Sequence, residues 1–198
     1  MKITHEFDFV LDTQRVFRAV LDCLANPGRV GALGPSAQKL GMPQCCLLAL
    51  GATLLDNEVT FCAAGDGALA GQLAALTLSS QAPAEKADFL FLPAGSWGRM
   101  EALLQAAKPG DLVDPHKSAT LVLEVPALMG EERYTLTGPG IDGSLELLLS
   151  APVAQAIRAR DRRELSFPLG LDLFFLDPAG RLLCLPRTTQ AAPHSTER

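Results

Sequence analysis

A single α/β domain, with a mixed sheet covered by helices, is predicted by three observations. Short apolar runs of strand length alternate with segments of helical period through residues 12–107. Near the end, the runs 167–176 and 182–185 are apolar on both faces, so the strands they form need cover on both sides. No repeat or linker divides the 198 residues, a length at which one domain buries roughly 70% of its unfolded surface. The domain is placed at residues 1–190, with 191–198 as a frayed polar tail.

In chain order, a helix is expected at about 12–25. Val16, Phe17, Val20, Leu21 and Leu24 recur at helical spacing, with Asp12 or Thr13 as cap. Asn26-Pro27-Gly28 stops it, because the residue before proline is pushed out of the α region. Residues 29–42 read as a loop with a short strand at 29–33. Pro43 then opens a helix that is apolar all round over 45–55, which implies burial against a sheet or another subunit.

A strand at 59–64 leads through Gly65-Asp66-Gly67 into a helix carrying Leu69, Leu73 and Leu76. Another strand is expected at 88–92. Ser96 is expected to cap a helix that ends at Pro109-Gly110. Segments 120–125 and 133–137 read as neighbouring antiparallel strands, and Leu145, Leu147 and Leu149 alternate as a further strand. Pro152 starts a short helix that runs into Arg158, Arg160, Arg162 and Arg163.

The terminal hairpin turns at Asp177-Pro178-Ala179-Gly180, with proline and glycine where a type I turn takes them. Leu171, Leu173 and Phe175 share one face; Asp172, Phe174 and Leu176 share the other. Asp172 is a carboxylate in an apolar run, costly to bury unless paired. Arg187, just past the second strand, is the partner the sequence offers, and Thr188 and Thr189 follow it. Such a pair is either a lock on the hairpin or part of a site.

Composition excludes several classes. A net charge of −5 gives nucleic-acid binding no bulk support, and the arginine cluster reads as a solvated helix end. The start of the chain has no apolar signal segment, and residues 45–55 are too few to span a bilayer, so no membrane partner is expected. The odd cysteine count, without C-x-x-C spacing, points to reduced thiols and a cytoplasmic protein.

His5, His116 and His194 are scattered, so no metal site is expected; only His116, in Asp114-Pro115-His116-Lys117, falls in a plausible functional loop. No G-x-S-x-G stretch occurs, and no lysine sits in an apolar site. Gly65-Asp66-Gly67-Ala68-Leu69-Ala70-Gly71 approaches a dinucleotide-binding loop. Its third glycine is one position late and Asp66 would repel phosphate, which favours a plain loop-to-helix junction.

Four stretches carry a family resemblance: Phe17-Arg18-Ala19-Val20-Leu21 leading to Asn26-Pro27-Gly28, then Leu136-Thr137-Gly138-Pro139-Gly140-Ile141, Phe167-Pro168-Leu169-Gly170-Leu171-Asp172, and Leu185-Pro186-Arg187-Thr188-Thr189. They resemble, in order, the subunit-H family of the bacterial carbon–phosphorus lyase system of phosphonate breakdown. The resemblance spans about residues 7–190. It implies an α/β fold like that of pyridoxal-phosphate transferases without the cofactor lysine, hence no such cofactor.

It also implies a cytoplasmic homodimer that joins the G, I and J subunits in a core complex. That complex is a transferase that makes α-D-ribose 1-methylphosphonate 5-triphosphate from ATP and methylphosphonate. The chain would be mainly an accessory subunit; the alternative is a catalytic or ligand-binding subunit with its own nucleotide or phosphonate site. The matching positions put Arg18, Asn26, Asp172, Arg187, Thr188 and Thr189 forward as ligand-binding candidates. The family often has histidine or proline just before its Phe-Pro-Leu-Gly; this chain has Leu165-Ser166, so no role for that histidine carries over.

Overall fold

A computed structural model describes residues 6–194. The helices are α1 (Leu11–Ala25), α2 (Gly34–Ala37), α3 (Cys45–Leu54), α4 (Gly67–Thr77), α5 (Met100–Ala106) and α6 (Ala151–Asp161). The strands are β1 (Val30–Ala32), β2 (Thr60–Cys62), β3 (Ser80–Gln81), β4 (Phe89–Leu92), β5 (Thr120–Glu124), β6 (Met129–Thr137), β7 (Leu145–Leu149), β8 (Asp172–Leu176), β9 (Arg181–Leu185) and β10 (Gln190–Pro193).

Seven strands form a large sheet in the order β1-β9-β8-β5-β4-β2-β3, and three form a small one in the order β10-β6-β7. From β3 to β8 the large sheet is parallel; β9 and β1 join it antiparallel. Its two faces carry separate cores. Phe61, Phe91, Val122, Phe174, Leu182 and Cys184 pack against α1, α3 and α4. Leu90, Leu121, Leu123, Leu173, Phe175 and Leu185 pack against α5, α6 and the small sheet. The predicted split of β8 is observed: Leu173 and Phe175 enter one core, Phe174 and Leu176 the other. The turn closes as expected, with the Gly180 N–H donating to the Asp177 carbonyl at 2.9 Å.

Several expectations are corrected. Segments 120–125 and 133–137 do not pair: β5 lies between β4 and β8, and β6 pairs with β7 and β10. The reason is visible in the residues. Leu121, Val122 and Leu123 are all buried, which suits a central parallel strand covered on both faces. In β6 only Tyr134 and Leu136 are buried, which suits a strand packed on one face. The short link between them mimics a hairpin loop but carries the chain from one sheet to the other.

The fraying expected from residue 191 onward is replaced over 191–193 by β10 (Gln190–Pro193), registered on residues 134–137; residues 195–198 lie outside those described. Residues 34–40, read as loop, hold α2 and a 3-10 turn. Neither Asp12 nor Thr13 caps α1. The Asp8 carboxylate accepts from the N–H groups of Val10 and Leu11, while Asp12 is buried and takes the Lys39 ammonium at 2.8 Å. Pro43 lies two residues before α3 rather than at its first position, and Ser96 sits inside a 3-10 turn. The apolar helix α3 needs no second subunit for cover, since Leu47, Leu48, Ala49 and Leu50 are fully buried within this chain.

Candidate functional site

The four scattered stretches meet in space. A Cβ on Gly140 would lie 2.2 Å from the Ala25 carbonyl oxygen and 2.9 Å from Pro27 Cδ. With φ at +84°, that position favours glycine twice over. A Cβ on Gly170 would lie 2.7 Å from Arg187 Cβ, and one on Gly138 would lie 2.8 Å from the Thr188 carbonyl oxygen. The end of α1, the turn after β6, the strand entry at 167–171 and the exit at 186–189 therefore meet closely at these glycines.

Two clefts open around this junction. The larger, of about 540 Å³, lies between the end of α6, the segment 164–171 and the segment 187–192. The smaller, of about 380 Å³, is lined by Leu24, Ala25, Gly140 and Asp172. Pro139, Arg187 and Thr188 line both.

The expected Asp172–Arg187 ion pair is absent. Asp172 Oδ1 accepts the backbone N–H of Arg187 at 2.7 Å. The Arg187 guanidinium points elsewhere and donates to the Pro115 carbonyl and to Ser118 Oγ. The register explains this. Leu173 faces Leu185 across the hairpin, so Asp172 lies beside the chain just past β9, where a main-chain donor is nearer than the end of a long side chain. Arg187 instead ties the hairpin to the 3-10 turn Pro115–Lys117, which holds the exposed His116.

Of the candidates, Arg187, Thr188 and Thr189 line the larger cleft, and Asp172, Arg187 and Thr188 line the smaller. Arg18 and Asn26 line neither. Arg18 is exposed on α1. Asn26 ends that helix, and its Nδ2 donates to the Asp22 carbonyl at 3.0 Å, so it acts as a helix stop.

The arginine cluster is not a uniform solvated end. Arg158 pairs with Glu132, which with Tyr134 holds its charged form above the ordinary range. Arg162 pairs with Glu101, and Arg163 donates to the Leu104 and Ala107 carbonyls that end α5, where burial lowers its pKa.

Arg160 differs from all of these. It is only 8% exposed and lines the larger cleft. Its Nε donates to Asp161 Oδ1 at 2.9 Å and its Nη2 to the Thr189 carbonyl at 3.1 Å. A signal for it existed in the sequence: Val153, Ala156, Ile157 and Arg160 are spaced three, one and three apart, which puts the arginine on the apolar face of α6.

The dinucleotide-like loop is resolved as structure. Asp66 accepts from the N–H groups of Ala68 and Leu69 at 3.0 and 2.9 Å and so caps α4 itself. The Leu69 N–H, then Gln44, hold that carboxyl below its ordinary range. Among the described residues, no group of three or more His, Cys, Asp or Glu converges as a metal site, and no helix is long and apolar enough to cross a membrane. All five cysteines are unpaired.

The molecule is thus defined as a one-domain α/β protein whose covered C-terminal hairpin carries a cleft lined by arginine and threonine. Residues 5–192 match the bacterial phosphonate metabolism protein family PhnH, and the chain belongs to that family. It is 30% identical over 189 residues to the alpha-D-ribose 1-methylphosphonate 5-triphosphate synthase subunit PhnH of Rhizobium meliloti (strain 1021), with 92% of each chain covered. It is 29% identical over 177 residues to the proposed C-P lyase subunit protein HtxG of Stutzerimonas stutzeri, covering 89% of this chain and 84% of that one.

Proposed function

We propose that this chain is a subunit of a carbon–phosphorus lyase core complex in phosphonate catabolism. It supports formation of α-D-ribose 1-methylphosphonate 5-triphosphate from ATP and methylphosphonate, mainly as an accessory subunit. The observation that carries this reading is the family match, which runs through nearly every element of the domain. Transferase activity then belongs to the assembly. The G, I and J subunits are its partners, and the cytoplasm is its compartment.

Homodimer formation is part of the proposal, on a different ground from the buried α3. Phe17 and Leu21, one turn apart on α1, are 44% and 47% exposed, and Val30 on the edge strand β1 is also exposed. An apolar helix face of this kind suits a subunit contact. Likeness to a pyridoxal-phosphate transferase fold without its cofactor is supported by the mixed sheet and by the lysines. Lys39, Lys108 and Lys117 are each paired with an aspartate, and Lys86 is exposed.

A second reading, a subunit that binds a nucleotide or phosphonate itself, is favoured by one observation. Thr188 and Thr189 line an open cleft large enough for a small ligand. Arg187, by contrast, is engaged by protein oxygens, and Arg18 and Asn26 do not line this cleft.

Complementation tests the leading reading. The chain is expressed in a bacterium that grows on methylphosphonate as sole phosphorus source and lacks its own copy of this subunit. Restored growth, with the tagged chain co-purifying with the other core subunits, is the expected result. Growth without co-purification would refute an accessory role in the complex, and failure of both would refute membership.

A further inference from the structure

Two buried side-chain atoms have no hydrogen-bond partner among the described residues: Arg160 Nη1 and Thr189 Oγ1. Both residues line the larger cleft, and they are held against each other by the Arg160 Nη2 bond to the Thr189 carbonyl. Arg160 is 8% exposed and Thr189 only 2%. Buried polar groups are nearly always satisfied, so two orphans on residues that are hydrogen-bonded to each other and line one cleft call for a common partner.

We infer that Arg160 Nη1 and Thr189 Oγ1 together bind one oxygen of a tetrahedral phosphorus oxyanion, a phosphate or a phosphonate group, seated in the larger cleft. The inference deepens the ligand-binding reading above and rests on it. It assigns the anion to Arg160, at the end of α6, instead of Arg187.

The geometry is preorganised. Asp161 on Nε and the Thr189 carbonyl on Nη2 fix the plane of the guanidinium, which leaves Nη1 as the donor with nothing to do. The Thr189 N–H donates to the Pro186 carbonyl at 2.9 Å, and that turn holds the residue whose carbonyl Arg160 grips. A guanidinium N–H and a hydroxyl are both donors, as an oxyanion requires, and a charge-assisted bond shielded from water is stronger than one at a surface. The charges around the cleft are mixed: Arg160 and Arg187 face Asp161 and Glu164. The site should therefore take a small anion with modest affinity, not a polyanion with high affinity.

Calorimetric titration of the full-length protein tests this, with inorganic phosphate, methylphosphonate and ATP as probes and acetate as a planar control. Phosphate and methylphosphonate are expected to bind, with acetate at least about tenfold weaker; whichever of the three phosphorus probes binds tightest identifies the source of the oxyanion. Thr189→Val keeps the side-chain shape and the carbonyl that Arg160 needs, and removes only Oγ1. It and Arg160→Lys should each weaken binding at least about tenfold, while Arg162→Gln, outside the cleft, should not.

If no probe binds the parent protein at millimolar concentration, the ligand-binding reading and this assignment fall together. If phosphate binds the parent, Thr189→Val and Arg160→Lys alike, the cleft binds but the assignment is wrong, and a bridging water is what the two atoms share. Should Arg160→Lys melt with a lost transition, Thr189→Val alone carries the test.

Discussion

The contact between Asp172 and Arg187 gives a quantitative test, because an ion pair and a side-chain-to-backbone bond respond differently to truncation. Asp172 Oδ1 accepts from the Arg187 N–H at 2.7 Å, a charge-assisted bond at the edge of the covered sheet. Bonds to charged groups contribute about 1.5–3 kcal/mol, and Asp172 is only half-buried, so about 2 kcal/mol is expected for Asp172→Ala. For a chain of 198 residues that lowers Tm by about 4–8 °C. Asp172→Asn keeps an acceptor oxygen and should lose about half as much.

Arg187→Met removes the bonds to Pro115 and Ser118 but leaves its own N–H in place. The double variant, followed by circular dichroism in urea, should therefore show the two losses adding to within about 0.5 kcal/mol. A true ion pair would leave one charge without its partner in either single variant, and the losses would not add. A coupling energy above about 1 kcal/mol would refute the geometry described here.

Two further predictions follow from the same structure. Gly140→Ala places a methyl against the Ala25 carbonyl at a left-handed backbone position, so it should cost at least about 2 kcal/mol in urea denaturation, whereas Ala substitution at Gly71, which has open space, should cost little or stabilise. The Lys39 ammonium, then the Asp8 N–H and Ser36, hold the buried Asp12 carboxyl far below its ordinary range. The folded state therefore binds fewer protons than the unfolded one as pH falls through about 4, and stability present above that pH is lost below it; Lys39→Met should flatten the slope of unfolding free energy against pH, and an unchanged slope would refute the account.

Much of the fold was legible because its strands are apolar on both faces. The hairpin of β8 and β9, with its turn and its two-core split, follows from alternation and turn chemistry alone. So does α1, whose stop at Asn26-Pro27-Gly28 is local. Other features lack a local signal. β3 is two exposed residues, and β10 is four residues of which three are exposed and one is proline, so only pairing with β2 and β6 makes them strands. The transfer of the chain from β5 to β6 is a choice between sheets, and a four-residue link carries no mark of it.

Charge was legible by position but not by partner. The sequence pairs Asp172 with the Arg187 guanidinium, yet the carboxylate takes the backbone N–H of that residue, since a main-chain donor at a strand end is fixed in place without loss of side-chain entropy. Arg160 was hidden among four arginines read as one cluster, although its place on the apolar stripe of α6 set it apart.

The stretches that mark the family are therefore tied first to backbone packing. Gly138, Gly140 and Gly170 each admit another segment's main chain or the stem of Arg187 at a distance no Cβ tolerates. Arg187 spends its charge on the turn at Pro115–Lys117. Gly170 and Arg187 line the larger cleft, and a wall built this closely leaves few polar atoms unsatisfied. That is why the two that remain, on Arg160 and Thr189, point to chemistry and not to loose packing. One of them lies in a matched stretch and the other outside all four, so the residues that shape this site and the residue that charges it come from different parts of the chain.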